Sequence, residues 1–310
     1  MLDSVNPLSW FRVAAEARRR RPDVIIFKYW MPFFAPAYAT ISWLAKRGRR
    51  TKVLFVCDNI VPHERRPGDT LLTRLALNQA DRFIVMSQSV EEDLLRLKPD
   101  ARYLRVEHPV YEIFGEPVSQ EEARRKLGLP LQEPVVLFFG YIRRYKGLHL
   151  LLEAFPRVLR KRPAHLLVAG EFYDDPAPYL ELVRKHKLEP HLHLATEFIP
   201  NEDVRYYFAA ADVVALPYVS ATQSGVVQIA YHFDRPVVAT PVGGLPEVIE
   251  QERTGLVVKD VSPEALAGGL LRFLELKDRV DFAGNIRRYK QRFSWDRMAE
   301  AVEQLVQGER

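Results

Sequence analysis

Two basic side chains follow a glycine at the end of an apolar run near the middle of the chain. The segment "VVLFFGYIRRYKG" contains Gly140, Arg143, Lys146 and Gly147. A glycine permits a tight exit from a strand, and cations beside the unpaired N–H groups of a helix start form an anion site. The spacing therefore predicts an anion-binding loop, and a solvated basic loop is the alternative.

A similar turn follows the apolar run "VVALPYV". Gln223, Ser224 and Gly225 stand where this predicted strand meets the next helix, and Gly225 permits close approach to the backbone. The N–H groups of Gly225, Val226 and Val227 have no acceptor inside a helix that begins here. We therefore expect these three groups to face an anion.

Titratable and polar groups also follow the apolar run "VLFVC" in the first third of the chain. Asp58, Asn59, His63 and Glu64 stand just beyond this predicted strand. Such clusters at strand ends are typical of functional sites, although a single histidine is more often structural. Cys57, which closes the run, is interpreted as buried filler rather than a nucleophile.

Composition limits the class of protein. The chain has 310 residues, 47% hydrophobic and 27% charged, which predicts two globular domains. Its single cysteine excludes an internal disulfide framework and indicates a reducing compartment. No apolar stretch approaches the roughly 20 residues of a spanning helix, and the first residues lack the pattern of a signal peptide. We therefore expect a cytoplasmic protein.

The net charge of +5 suits an anionic ligand or an acidic membrane surface. The densest basic run, Arg18–Arg21, is interpreted as the solvated end of a helix, where cations are favoured. A peripheral contact of this run with a membrane or another polyanion is the alternative. The chain shows no zinc-finger spacing and no basic–aromatic interleaving, which argues against a nucleic-acid partner. The pair Asp174–Asp175 matches no calcium loop, so we expect no bound metal.

Short β-branched runs alternate with amphipathic segments along most of the chain. This rhythm predicts two doubly wound, Rossmann-like α/β domains with parallel sheets. A charged, proline-containing stretch from 111 to 134 interrupts it, with one short helix capped by Ser119. We predict a partial N-terminal domain over 1–115, a C-terminal domain over 116–293, and a last helix over 294–310 that crosses back to the first domain.

These elements place the polar segments at the carboxyl ends of parallel strands, where ligands of such sheets bind. With two such domains, the expected site is the cleft between them. Ser89 and Asn201 are predicted helix N-caps, and "LPEVIEQERTG" is predicted to form a helix that ends at Gly255.

The segment "FFGYIRRYKGLHLLLEAF" resembles a strand–loop–helix of family 4 glycosyltransferases with the GT-B fold. "NEDVRYYFAAADVVALPY" is similar to their segment before the donor loop, and "ATQSGVVQIAYHFDRPVVATPVGGLPEVIEQERTGLVV" to their donor-binding core. The resemblance covers nearly the whole chain and is strongest from Pro134 to Val258. It implies two domains that face a cleft, with the donor held mainly by the second.

The resemblance implies a hexosyltransferase-like enzyme that moves a sugar from a nucleotide-diphosphate sugar, such as a UDP- or GDP-sugar, to an acceptor hydroxyl. It further implies retention at the anomeric carbon, a carbohydrate or lipid-linked acceptor, and no metal or other cofactor. In this family a loop arginine and lysine neutralise the leaving diphosphate, and Arg143 and Lys146 match them. The main chain at Phe198 and Ile199 matches the strand end that binds the base.

The resemblance also implies donor contacts from Gly140 and from the segment Gln223, Ser224, Gly225, Val226, Val227 and Gln228. On the first domain, Asp58 stands where the family often has a histidine, and we interpret it as a catalytic candidate. Asn59, His63 and Glu64 are candidates for the acceptor side.

Three departures from the family pattern leave alternatives open. The donor loop of the family carries two glutamates, whereas Ala221 and Ile229 stand at those positions, so Gln223 or Gln228 would act as a neutral hydrogen-bond partner. Asp58 replaces the histidine. The opening strand and Gly-rich loop of the fold are not matched, so the first domain is expected to be short by roughly 60–80 residues.

Two further hypotheses accompany sugar transfer. The chain could be a shortened nucleotide-sugar-binding protein with weak or no transferase activity, its open sheet edge covered by a partner subunit or by a second copy in a homodimer. A GT-B epimerase acting on a nucleotide sugar is the other, for which Asp58, His63 and Glu64 are the available acid–base groups.

Overall fold

A computed structural model describes residues 2–48, 50–62, 66–111 and 113–307. The chain forms two compact units. Unit 1 combines Met1–His108 with Trp295–Arg310, and unit 2 is Pro109–Ser294. Each unit is built on one parallel sheet, as the alternation of runs predicts. Within the described residues no helix has both the length and the apolar character needed to cross a lipid bilayer.

Unit 1 contains a four-stranded sheet in the order β1-β2-β3-β4. Its elements are α1 (Pro7–Arg20), β1 (Val24–Tyr29), α2 (Ala35–Lys46), β2 (Lys52–Cys57), α3 (Asp69–Leu77), β3 (Arg82–Val85), α4 (Gln88–Leu97) and β4 (Tyr103–Arg105). β1 lies at the edge, and no described strand pairs with its outer side.

The central strand β2 is apolar on both faces because the sheet is covered on both. Val53, Phe55 and Cys57 pack into the core on one face, whereas Leu54 packs into a separate cluster on the other. This continuous burial is typical of parallel sheets. Cys57 is fully buried, as predicted, and burial raises the pKa of its thiol well above the usual value.

Unit 2 contains a six-stranded sheet in the order β10-β9-β8-β5-β6-β7. Its strands are β5 (Val135–Phe139), β6 (His165–Ala169), β7 (Leu192–Ala195), β8 (Val213–Leu216), β9 (Val237–Ala239) and β10 (Gly255–Val257). Its helices are α5 (Gln120–Leu127), α6 (Leu148–Leu159), α7 (Ala177–His186), α8 (Asn201–Ala210), α9 (Gly225–His232), α10 (Pro263–Leu276) and α11 (Phe282–Tyr289). The strand order reverses between β5 and β8, which are neighbours in the sheet although β6 and β7 separate them along the chain.

The last helix, α12 (Trp295–Gln307), belongs to unit 1. Met298 and Ala301 pack against Leu54, Ile84 and Met86 on the second face of the sheet. This helix therefore closes the side of the sheet that α2 and α3 leave open.

Three local predictions differ from the structure. The predicted helix "LPEVIEQERTG" is a series of turns, and Gly255 begins β10. Thr254 Oγ1 accepts the Glu250 N–H at 2.9 Å, and such side-chain bonds to the backbone compete with a helix. Glu252 has a φ of 56°, which ends any helical path.

The two other differences concern caps. Ser87, not Ser89, caps α4, because its Oγ accepts the Val90 N–H. Asn201 is already inside α8, since Pro200 occupies the N-cap position and supplies no side-chain cap. Ser119 caps α5 as predicted, through the Glu122 N–H.

Candidate functional site

The loops after β5 and β8 touch because their strands are neighbours in the sheet. Gly147 has a φ of 72°, and a Cβ there would lie 1.8 Å from the carbonyl oxygen of Pro217. The Val219 N–H donates to the Tyr145 carbonyl at 2.7 Å. Glycine at 147 is therefore a condition for this contact, which brings both predicted anion loops to one edge of unit 2.

The ammonium group of Lys146 lies over Gly140. A Cβ at Gly140 would come within 3.0 Å of Lys146 Nζ and 4.0 Å of Val226 Cγ2, in the first turn of α9. The same Nζ is 5.5 Å from the centroid of the Tyr218 ring. A cation beside the start of a helix is an electrostatic environment that attracts anions.

Two N–H groups in the first turn of α9 already have hydrogen-bond acceptors within the chain, which the sequence did not predict. Ser224 Oγ accepts the Val226 N–H at 3.2 Å and is hydrogen bonded to the Tyr218 hydroxyl at 3.0 Å. The Val227 N–H donates to the Ser224 carbonyl at 3.1 Å. The expectation that the N–H groups of Val226 and Val227 are open to an anion is therefore wrong, because the capping serine takes both.

Tyr111 occupies the space beside Gly225. A Cβ at Gly225 would lie 3.1 Å from Tyr111 Cε2 and 3.3 Å from its hydroxyl oxygen. The close approach predicted at Gly225 is thus made by an aromatic ring of the same unit. Nothing in the spacing of the sequence pairs Tyr111 with a glycine more than a hundred residues later.

Arg143 stacks on a tyrosine from the loop after β6. Its Cζ lies 3.7 Å from the centroid of the Tyr173 ring. The sequence predicts Arg143 as a site residue but gives no indication of Tyr173. The sheet order supplies this contact because β5 and β6 are paired.

The two glutamines of the α9 segment differ in environment. Gln228 is 2% exposed, and its Oε1 accepts no hydrogen bond from any residue the structure describes. Gln223 is half-buried. Ile229 packs in the main core of unit 2, so the position that lacks the family's glutamate is filled by an apolar side chain. A buried acceptor without a donor is uncommon in native proteins. Gln228 is therefore a candidate for a hydrogen bond to a bound ligand.

A pocket of about 490 Å³ lies at the end of β7. Phe198 and Ile199 line it, and the Phe198 ring is exposed. Burial, with a smaller contribution from the nearby Asp203 carboxylate, raises the pKa of Tyr207 in its wall. The complete lining consists of Leu194, Ala195, Thr196, Glu197, Phe198, Ile199, Pro200, Asp203 and Tyr207.

In unit 1, Asp58 follows β2 and pairs with Lys28 from the end of β1, with Nζ 3.3 Å from Oδ2. Burial raises the pKa of Asp58, and the charges of Lys28 and His108 oppose this shift. Asn59 is half-buried next to it. His63 and Glu64 lie outside the described residues. The sequence gives no indication of Lys28 or His108, because their approach to Asp58 depends on the pairing of parallel strands.

The described part of the chain contains no group of three or more His, Cys, Asp or Glu side chains arranged to hold a metal ion.

Two family models match the chain. "Glycosyl transferases group 1" matches residues 133–276, and "Glycosyl transferase 4-like domain" matches residues 3–109. The two matches together span most of the 310 residues, one in each unit. The chain belongs to the GT-B glycosyltransferases. The loops that carry Arg143, Lys146 and the start of α9 all lie within the group 1 match.

Curated relatives of this glycosyltransferase chain are longer than it is. It is 32% identical over 241 residues to a D-inositol 3-phosphate glycosyltransferase of Saccharomonospora viridis, covering 72% of this chain and 54% of the relative. It is 30% identical to the putative teichuronic acid biosynthesis glycosyltransferase TuaC of Bacillus subtilis, covering 69% and 52%. The chain thus spans about half the length of the curated relatives it matches.

Solved structures share the fold. A sucrose-phosphate synthase from Thermosynechococcus elongatus superposes with a TM-score of 0.79 at 24% identity, covering 97% of this chain and 77% of that one. Anabaena HepE, solved in complex with UDP, superposes with a TM-score of 0.78 at 19% identity, covering 97% and 84%. At these identities the likeness shows the GT-B architecture.

Proposed function

We propose that the chain transfers a sugar from a nucleotide-diphosphate sugar to an acceptor hydroxyl, with retention at the anomeric carbon and without a bound metal. The observation that carries this proposal is the position of Lys146 Nζ, over Gly140 and beside the first turn of α9. When the bond between sugar and diphosphate breaks, negative charge grows on the leaving phosphate. A cation already fixed at that point stabilises the transition state more than the ground state.

The other candidate residues have roles consistent with this reaction. Arg143, held on the loop after β5, would neutralise the second phosphate as a planar, permanently charged group. The pocket beside Phe198 and Ile199 offers an exposed ring and main-chain groups for the base. Gln228 Oε1 would accept a hydrogen bond from a hydroxyl of the donor, which would satisfy this buried acceptor.

Asp58 is proposed as the carboxylate on the acceptor side. Its raised pKa means that its environment holds the charged form less well than water does, which makes the group more basic toward an acceptor hydroxyl. The acceptor is proposed to be a polyol or carbohydrate, since the relatives are named for D-inositol 3-phosphate and for teichuronic acid. The single buried cysteine supports a cytoplasmic location.

The second candidate function is binding of a nucleotide sugar with little or no transfer. The absence of glutamate at Ala221 and Ile229 favours it, because a glutamine bonds a hydroxyl without the strength of a charge-assisted bond.

One experiment separates the two functions. The chain is incubated with UDP-glucose or GDP-mannose and D-inositol 3-phosphate in the presence of EDTA, and release of the nucleoside diphosphate and the anomeric configuration of the product are measured. Transfer with retention supports the first function. Nucleotide binding by calorimetry without any release of diphosphate supports the second, and neither binding nor release contradicts both.

The same assay tests the two cations. Lys146→Gln and Arg143→Gln should each lower turnover by about 10²–10³-fold, because each removes charge stabilisation that the transition state needs. Arg144→Gln is the matched control, since Arg144 stands in the same loop with an exposed side chain. Turnover equal to that of the control in both variants would contradict the assigned roles.

A further inference from the structure

Helix α1 turns large apolar side chains toward solvent. Leu8 is 67% exposed and Phe11 is 54% exposed, whereas Ser9 and Ala14 are buried against the rest of unit 1. Residues three, four, seven and eleven positions apart share one helix face. Leu8, Phe11, Arg12, Ala15 and Arg19 therefore form a single outward stripe. A surface helix normally presents polar residues on that side.

The surroundings of this stripe are strongly basic. From Pro7 to Arg21 the sequence has five arginines and one glutamate. Glu16 is paired with Arg19 at 2.7 Å and with Arg20 at 2.6 Å, and these hydrogen bonds lower the pKa of its carboxyl to about 2. Arg12 forms no ion pair with any described residue. The apolar side chains thus lie within a field of excess positive charge.

We propose that the stripe Leu8, Phe11, Arg12 and Arg19 docks on an anionic lipid surface. Exposed apolar side chains with flanking arginines are the combination that inserts at the boundary between lipid headgroups and acyl chains, and the excess cations attract the acidic leaflet. A second copy of the chain is a poorer partner, because a symmetric contact would bring two sets of arginines together. This proposal does not depend on sugar transfer.

The test is co-sedimentation of the full chain with phosphatidylcholine vesicles, with or without phosphatidylglycerol. Binding is expected to vesicles that contain phosphatidylglycerol and to weaken as salt is added. The double variant L8S/F11S should bind at least about tenfold less, because it loses the apolar contact. R12Q/R19Q should lose the preference for phosphatidylglycerol. L131S/V261S, two exposed apolar side chains of unit 2, is the matched control and should bind as the unsubstituted chain does.

Failure of the unsubstituted chain to bind phosphatidylglycerol vesicles would overturn the proposal, as would unchanged binding of L8S/F11S. Analytical ultracentrifugation without lipid tests whether a second copy of the chain covers the stripe instead. A dimer that L8S/F11S converts to monomer would assign the stripe to a second copy instead.

A second observation concerns the loop after β6, which is fixed to the loop after β5 by main-chain bonds. The Ile142 N–H donates to the Glu171 carbonyl at 2.8 Å, and the Tyr173 N–H donates to the Ile142 carbonyl at 3.0 Å. The Arg144 N–H donates to Asp174 Oδ2 at 3.1 Å. Tyr173 therefore has a defined backbone position directly beside Arg143.

The Tyr173 ring is not placed by core packing, since it is 65% exposed. The centroid of the ring lies 3.7 Å from the guanidinium carbon of Arg143. A planar guanidinium stacked on a ring loses rotational freedom, and its N–H groups point outward along the edges of the plane. We infer that Tyr173 is a positioning residue that holds Arg143 toward the donor diphosphate, an inference that rests on the proposed function.

The experiment combines turnover with affinity for UDP and GDP. Y173A should lower kcat by about tenfold with a small change in donor KM, because misplaced charge is felt mainly in the transition state. Y173F should restore the rate, since the ring and not the hydroxyl supports Arg143. Y141A, an exposed tyrosine of the neighbouring loop, is the control. In the R143Q background Y173A should have no further effect.

An equal additional loss from Y173A in the R143Q background would overturn the inference and leave the proposed function intact. If the chain turns over no donor, the same cycle is measured on UDP or GDP affinity, where independence of the two residues again overturns it. Absence of nucleotide binding by the unsubstituted chain would overturn the proposed function itself.

Discussion

Gln228 and Asp58 are two polar residues with unfavourable surroundings in this fold. Gln228 holds a buried amide oxygen that no described donor satisfies, and Asp58 holds a carboxylate whose pKa is raised mainly by burial. Groups of this kind cost stability, so they are retained at sites where a ligand or a reaction uses them.

Replacing Gln228 by leucine tests this interpretation. Gln228→Leu removes the unsatisfied acceptor, so the free energy of unfolding should stay within about 1 kcal/mol of the original or increase. Donor KM should rise, because the hydrogen bond to the donor is lost. Denaturant unfolding and steady-state kinetics measure the two quantities, with the exposed Gln291→Leu as control. A large loss of stability with unchanged KM would assign Gln228 a structural role.

Asp58→Asn should show a pH-dependent gain in stability. Because the pKa of Asp58 is higher in the folded than in the unfolded state, folding favours the protonated carboxyl. The original chain therefore loses stability relative to the variant as pH rises from about 4 through the raised pKa. Turnover should fall in the variant at every pH. The exposed Asp100→Asn is the control, and lower stability of D58N at pH 8 would mean that its pairing with Lys28 dominates.

At the scale of elements, the two anion loops depend on glycines that no other residue replaces. Gly147 is the clearest case, since its backbone is left-handed and its Cα faces the Pro217 carbonyl. Gly128 has a similar φ of 65°, but nothing lies within 4 Å of where its Cβ would be. The two positions separate the cost of backbone conformation from the cost of steric contact.

Gly147→Ala should lower the free energy of unfolding by about 2 kcal/mol or more beyond the effect of Gly128→Ala, because it adds a clash to the same backbone strain. It should also weaken nucleotide binding, since the β5 and β8 loops must separate. Thermal unfolding and calorimetry measure the two effects. Equal losses in the two variants would show that the loops move apart without cost.

The sequence alone predicts the strands of this site well, because short apolar, β-branched runs bounded by turn residues are typical of buried parallel strands. It also predicts Gly140, Arg143 and Lys146 as candidate site residues, because they directly follow one of these runs. It does not predict Tyr173, Tyr111 or Tyr218, since these contacts depend on which strands become neighbours. It also mistook "LPEVIEQERTG" for a helix, because a tertiary bond of Thr254 to Tyr231 leaves no trace in helical periodicity.

At the scale of the whole molecule, the first and last parts of the chain share one unit. Helix α12 covers a face of the unit 1 sheet through Met298 and Ala301, although nearly two hundred residues of unit 2 intervene. The stability of unit 1 is therefore tied to the end of the chain, whereas the core of unit 2 is formed by residues that are contiguous in sequence.

Met298→Ala should lower the stability of unit 1 by about 2–3 kcal/mol, as expected for truncation of a buried side chain. Nucleotide affinity should change little, because the β5 and β8 loops belong to unit 2. Calorimetric scanning should show one transition moved and the other unmoved. Glu303→Ala, on the exposed side of α12, is the control, and a parallel shift of both transitions would contradict the separation.

Because Cys57 is buried, the folded chain should not react with thiol reagents. Its sulfur is inaccessible and is held in the unreactive thiol form. A cysteine introduced at an exposed position can therefore be labelled selectively with a fluorophore, without first removing a native thiol. In the unlabelled chain, the rate at which a maleimide modifies Cys57 would report how often the β2 region of unit 1 opens.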